Sequence, residues 1–173
     1  MDPSDLRRSI QEQVGNLLSI AGDLGARVRH VKPHGALYNA AAKNSQLAQV
    51  IAEAILLVDK HLILVGLAGS LMLDVWRAAG FAVIAEAFAD RRYEADGHLR
   101  SRSLPDSLLI NPLDAAQQAL SIARDHTITA TNGTRLTVHA QTLCVHGDTP
   151  SAIAVAREIR AHLSAAGISV QTF

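Results

Sequence analysis

The chain has 173 residues, 49% of them hydrophobic and only 3% aromatic, with 16 basic residues against 16 acidic ones. That length suits one domain, residues 1–173, with an aliphatic core, and so large an apolar share excludes an intrinsically disordered chain. The charge balance gives no electrostatic basis for binding nucleic acid or an anionic membrane. One cysteine, Cys144, excludes an intramolecular disulfide. No basic-then-apolar leader opens the sequence, and no apolar run is long enough to span a bilayer. A cytoplasmic protein is therefore expected.

In chain order, Ser4–Gly22 reads as a helix with Ile10, Val14, Leu17 and Leu18 on one face. Arg27–Val31 reads as a short strand running into Lys32-Pro33-His34-Gly35. A second helix begins at Asn44 or Ser45, with Leu47, Val50, Ile51, Ala54, Ile55 and Val58 at helical spacing. The apolar run Leu62–Val65 predicts a strand buried on both faces. Gly69-Ser70 opens a helix to Ala79, closed by Gly80, and Ala82–Ala85 is the next strand. The polar stretch from Glu86 to Asp106 is several times the usual connection of roughly 4–6 residues, which marks it as functional. A helix follows over Leu113–Arg124, then a hairpin turning at Asn132-Gly133. A buried strand is expected at Leu143–Val145, with Cys144 in its core. The last helix is expected to begin at Thr149-Pro150 and end at Gly167, before a terminal strand at Ile168–Val170. Alternating strands and helices imply an α/β fold with a parallel sheet.

Ligands in such folds sit beyond the carboxyl ends of strands. The polar residues gather there: Lys32 and His34 after one strand, Glu86, Asp90, Arg91, Arg92 and Tyr93 after another, His146 and Asp148 after a third. His34 is an acid/base candidate because an imidazole titrates near neutral pH; it could equally cap a helix. Glu86 and Asp90 could bind a metal or move a proton, and Arg91 or Arg92 could grip a carboxylate or phosphate. An internal salt-bridge network ordering the loop would explain the same residues. Tyr93 could hydrogen-bond a substrate or pack the loop, and Arg102 is a weaker anion-binding candidate. Asp148 or Thr149 fits a helix N-cap as well as a catalytic position. Gly66-Leu67-Ala68-Gly69-Ser70 could cradle an anion, although close strand–helix packing accounts for its glycines equally well. The remaining histidines show no zinc-ligand spacing.

Three segments, HVKPHGALYN at 30–39, EAFADRRYEADGHLRSR at 86–102 and LCVHGDTPSAIAVAREIR at 143–160, resemble the signature segments of the LamB/YcsF family. GLAGS at 66–70 and the closing AGISVQTF fit as well, so the resemblance covers nearly the whole chain. It implies the A component of 5-oxoprolinase, which cleaves 5-oxo-L-proline to L-glutamate with ATP as co-substrate, accompanied by Mg2+. It also implies partner subunits B and C, with self-association as a further option. The implied fold is a distorted parallel (β/α) barrel of the glycoside hydrolase/deacetylase type. The family's acidic DLNxDxGE-type motif and histidine-containing CGFHAG-type segment have no match here, so an incomplete barrel is expected. In the implied chemistry Lys32, Arg91, Arg92, Tyr93 and Arg102 bind phosphate or the substrate carboxylate, while His34, Glu86, Asp90, His146 and Asp148 handle protons. Two other readings stand beside it: a metal-dependent carbohydrate deacetylase or hydrolase by fold analogy, and a non-catalytic relic that binds partner subunits.

Overall fold

The computed structural model describes residues 2–173. Contacts divide the chain into two compact units, residues 1–85 and 86–173. The elements are α1 (Pro3–Asp23), β1 (His30–Val31), α2 (Gly35–Ala41), α3 (Ser45–Leu56), β2 (Ile63–Leu67), α4 (Leu71–Ala78), β3 (Val83–Phe88), α5 (Pro112–Asp125), β4 (Thr127–Thr129), β5 (Arg135–Thr137), β6 (Thr142–Cys144) and α6 (Ala152–Ala165). The four-stranded sheet has the order β1-β2-β3-β6, and β4 pairs with β5 separately. Strand β3 runs across the division between the units. No helix among the described residues is long and apolar enough to cross a membrane.

In the first unit β1 and β2 pair in parallel, His30 opposite Ile63 and Val31 opposite Leu64. The strand is two residues, shorter than the expected Arg27–Val31, because only His30 and Val31 lie in register with β2. Helix α3 packs between α1 and α4. It starts where Asn44 accepts a hydrogen bond from Leu47 N at 3.0 Å, satisfying one of the free N–H groups of the first turn. Of the stripe expected on α1, Ile10 is buried, Val14 and Leu18 are half-buried, and Leu17 is 54% exposed. Leu18, further along the helix, is better covered than Leu17, so the covered face follows Ile10, Val14 and Leu18 at four-residue spacing. The short α2 was not expected; its seven residues are too few for periodicity to register.

The core of this unit turns on Trp76, which is fully buried and donates its indole N–H to Ala48 O at 2.9 Å. Gly66 on β2 makes room for it: a Cβ there would lie 2.8 Å from Trp76 Cζ3 and 3.1 Å from Leu73 Cδ2. Ser70, the residue before α4, turns its hydroxyl back to Leu67 O at 2.6 Å. Close packing therefore accounts for Gly66. Replacing Gly66 by alanine should lower unfolding free energy by about 1–3 kcal/mol, measured by urea denaturation, because the rigid indole has to shift. Its backbone needs no positive φ, so the loss would report packing alone.

In the second unit β3 and β6 pair in parallel, Glu86 opposite Thr142 and Phe88 opposite Cys144. The core forms where α5 meets α6: Ala115, Ala116, Ala119, Val155, Ile159 and Leu163 are buried, with Ala89 and Leu109. Asn111 caps α5 by accepting from Leu113 N at 2.9 Å. The hairpin expected at Asn132-Gly133 joins β4 to β5, with Gly133 at φ +85°.

Four expectations are corrected here. Strand β3 continues to Phe88, so Glu86 lies inside it, 4% exposed, and not in the loop that follows. Its pairing with β6 outweighs the polar character that suggested a loop. Strand β6 ends at Cys144 and is half-buried along its length, since it stands at the end of the sheet order. Helix α6 begins at Ala152, after a turn in which Ala152 N donates to Thr149 O at 3.1 Å. Its cap position is Ser151, so neither Asp148 nor Thr149 is the N-cap. Residues 168–170 form no strand, because no strand among the described residues lies beside them to supply the ladder.

Candidate active site

The acid–base geometry of the second unit is built where β3 and β6 release the chain side by side. Asp90 follows β3, and His146 follows β6, 56 residues away in sequence. The His146 backbone N–H donates to Asp90 Oδ2 at 2.7 Å, and its ring Nδ1 lies 3.0 Å from Oδ1 and 3.1 Å from Oδ2. The imidazole stacks on Phe88, ring centroids 5.5 Å apart and planes 22° apart. Two contacts thus hold the ring, one by hydrogen bonding at its edge and one by stacking on its face.

Asp90 is 5% exposed. Burial pushes its carboxyl up, but hydrogen bonds from the His146 ring and backbone more than offset this and hold it below the ordinary carboxylate value. An ionised carboxylate only accepts hydrogen bonds, so the Nδ1 facing it must carry the proton. In the neutral imidazole that leaves the lone pair on Nε2, the arrangement of a general base oriented by a carboxylate.

The loop after β3 is held by its own side chains. Tyr93 is buried, and its hydroxyl accepts from Phe88 N at 2.7 Å; burial pushes the phenol well above its ordinary value. Arg91 is buried and donates to the carbonyls of Arg100 and Ser107. Arg100 joins Asp106 at 2.8 Å and Glu94 at 2.7 Å, and Glu94 also accepts from Thr131 Oγ1 at 2.8 Å. Arg92 is exposed, and its backbone N–H donates to Ser107 O at 3.0 Å. Ion pairs do order this loop, but through Arg100, Glu94 and Asp106; Arg91 turns to backbone carbonyls and Asp90 to His146.

Arg102 and Asp148 face each other as an exposed ion pair, Nη1 to Oδ2 at 2.7 Å and Nη2 to Oδ1 at 3.5 Å. The hydrogen bond between them raises the Arg102 guanidinium and lowers the Asp148 carboxyl. In solvent such a pair contributes little to stability. Burial pushes the Arg91 guanidinium below its ordinary value, with repulsion from Arg102 acting in the same direction.

The structure therefore pairs Asp90 with His146 and Arg102 with Asp148, while the buried Arg91 and Tyr93 hold the loop after β3. Glu86 lies in β3, beside the buried Tyr93. Lys32 and His34 follow β1 in the first unit: the Lys32 ammonium stands 5.9 Å from the centre of the Tyr38 ring, and exposed His34 holds the cap position of α2 without a side-chain capping bond. Sequence reasoning missed Gln118, whose amide reaches three carbonyls of the β3 loop, and Arg100; neither lies in a position that a motif marks.

The LamB/YcsF family model matches residues 1–173. The chain belongs to the LamB/YcsF family. Relatives agree with that assignment. The 5-oxoprolinase A subunit of Chloroflexus aggregans is 49% identical over 172 residues, which is 99% of this chain and 68% of that protein. Its counterpart from Bordetella pertussis is 44% identical over 169 residues, covering 98% and 67% respectively. The crystal structure of the lactam utilization protein from Thermus thermophilus superposes with a TM-score of 0.91 at 37% identity, covering all of this chain and 69% of that one. This LamB/YcsF chain thus has the fold of that protein over about two thirds of its length. Its parallel strands with flanking helices form an incomplete (β/α) barrel by comparison.

Proposed function

We propose that this chain acts as an A-type subunit of ATP-dependent 5-oxoprolinase, contributing to hydrolysis of the lactam of 5-oxo-L-proline to L-glutamate. The Asp90–His146 dyad carries the reading, because lactam opening needs a group that takes a proton from water and returns it to the leaving nitrogen. The names of the relatives and of the solved structure support the substrate class.

In this reading Nε2 of His146 accepts a proton as the water oxygen bonds to the lactam carbon, and Asp90 stabilises the imidazolium across Nδ1–H. The imidazolium returns that proton to the ring nitrogen as the C–N bond breaks. ATP supplies the activation that a stable amide requires, by phosphorylating the carbonyl oxygen with release of ADP; C–N cleavage then leaves an acyl phosphate, which a second water splits to the glutamate carboxylate and inorganic phosphate. Arg102 exchanges Asp148 for the substrate carboxylate, and Lys32 and Arg92 are the cations proposed for phosphate. Arg91 and Tyr93 hold the loop that presents Asp90, while Glu86 and His34 are the remaining acid–base candidates. The B and C subunits complete the enzyme in the cytoplasm. Among the described residues no group of three His, Cys, Asp or Glu side chains converges on a point. The metal-dependent deacetylase reading therefore has no ligand set behind it among those residues, whereas Mg2+ accompanying ATP would take most of its ligands from phosphate and water.

The test is ATP-dependent release of glutamate from 5-oxoproline by this chain mixed with the B and C subunits, beside a longer relative of this chain. Turnover supports the reading; none beside an active control overturns it. In the same assay, replacing Arg102 by alanine should raise KM for 5-oxoproline about 10- to 100-fold. That range corresponds to loss of a charge-assisted hydrogen bond. With kcat little changed, the effect would be loss of ground-state binding.

A further inference from the structure

We propose that Gln118, on α5, is the positioning residue that holds Asp90 in register with His146; the catalytic meaning of this rests on the reading above, its geometry does not. The Gln118 amide nitrogen lies 2.9 Å from Phe88 O, 3.2 Å from Ala89 O and 2.8 Å from Arg91 O. Three carbonyl oxygens can surround only a donor, so the orientation of the amide is fixed by its partners. Two N–H groups serve three acceptors, one of them shared, and the longest contact, to Ala89, is the natural shared one.

These three carbonyls bracket Asp90 on both sides. Bonds from strands and loops reach this stretch of backbone as well, among them Phe88 N to Tyr93, Ala89 N to Cys144 O at 3.0 Å, and Leu109 N to Asp90 O at 2.8 Å. Gln118 is the tie from β3's exit to a helix whose neighbouring face, Ala115, Ala116 and Ala119, is fully buried. A carboxylate that must meet both the backbone N–H and the ring of His146 tolerates little displacement, since such bonds weaken steeply with angle and distance. Without the amide, the carbonyls of Phe88, Ala89 and Arg91 lose a common donor and the turn through Asp90 loses its hydrogen-bonded tie to α5.

The experiment is NMR titration of the Asp90 carboxyl carbon, together with the Nδ1–H proton of His146, in the 173-residue chain and in Gln118→Met. Methionine keeps the length and fills the space without a donor. The expected result is an Asp90 carboxyl that titrates at higher pH than in the parent chain, with loss or broadening of the Nδ1–H signal. Gln118→Asn keeps the amide but falls one methylene short, and should shift both signals in the same direction if the methionine variant does not fold. Unchanged Asp90 titration and an unchanged Nδ1–H signal in a folded variant would overturn the proposal. Turnover is measured in parallel, with kcat expected to fall about tenfold and KM to stay. Altered titration with unaltered turnover would support the positioning role and overturn the catalytic reading of the dyad, so the two fail separately.

Discussion

Replacing His146 by glutamine should lower kcat for ATP-dependent glutamate release about 10²- to 10⁴-fold, the usual contribution of a positioned general base. Glutamine retains bulk and a donor that can face Asp90, so the loop after β6 is expected to stay in place through the backbone bond from residue 146. What it lacks is a titratable lone pair where Nε2 now stands. KM for 5-oxoproline should move little, because the carboxylate grip assigned to Arg102 is untouched. A variant that keeps kcat while KM rises would place His146 in binding and leave the reaction without its proposed base.

The second large effect is expected at Asp90. Asp90→Asn should lower kcat about 10²- to 10³-fold, with unfolding followed separately. An asparagine can turn its NH2 toward Nδ1, which then has to accept; the ring proton moves to Nε2 and the base is lost although every heavy atom stays close to its place. Because Asp90 and His146 act as one unit, Asp90→Asn with His146→Gln should cost no more than the larger single change. Additive losses would show that the two act independently. The same carboxylate gives a pH-dependent term in stability. Its folded-state value lies below the unfolded one, so its contribution is fully present above the ordinary aspartate value of about 3.9 and is lost as pH falls through the lower folded value. Acid unfolding of Asp90→Asn should lack that component, and the gap in stability between the two proteins should narrow toward the acid end.

Much of the fold is legible in the sequence because it is written locally. Asn44 as a cap, the apolar run that forms β2, and Asn132-Gly133 as a hairpin turn each follow from one residue type in a short context. Strand β3 extends further than its apolar run suggests, because Glu86 is a charged residue whose strand conformation comes from pairing with β6, far along the chain. The start of α6 is misleading because Pro150 is a sound helix signal by itself. Asp148, the apparent cap, is instead engaged by Arg102, 46 residues away. The same separation hides which arginine would face a ligand: Arg91, Arg92 and Arg102 are chemically alike in sequence. Only the fold turns Arg91 onto backbone carbonyls and Arg102 onto a carboxylate. Asp90 and His146 are legible as candidates, their contact is not, and Gln118 carries no sequence signal at all.

The alanines of α5 have a consequence for how this chain can vary. Ala115, Ala116 and Ala119 sit at full burial where α5 meets its neighbours, and each is the smallest side chain that still favours a helix. One helical turn carries both this face and Gln118, so the distance at which the helix lies decides how far the amide reaches. A methyl group added at any of the three would move the helix as a body and carry the amide with it. The spacing of the acid–base pair is thus set partly by residues that have no polar atom in their side chains, and selection for chemistry would act on them in the guise of selection for packing.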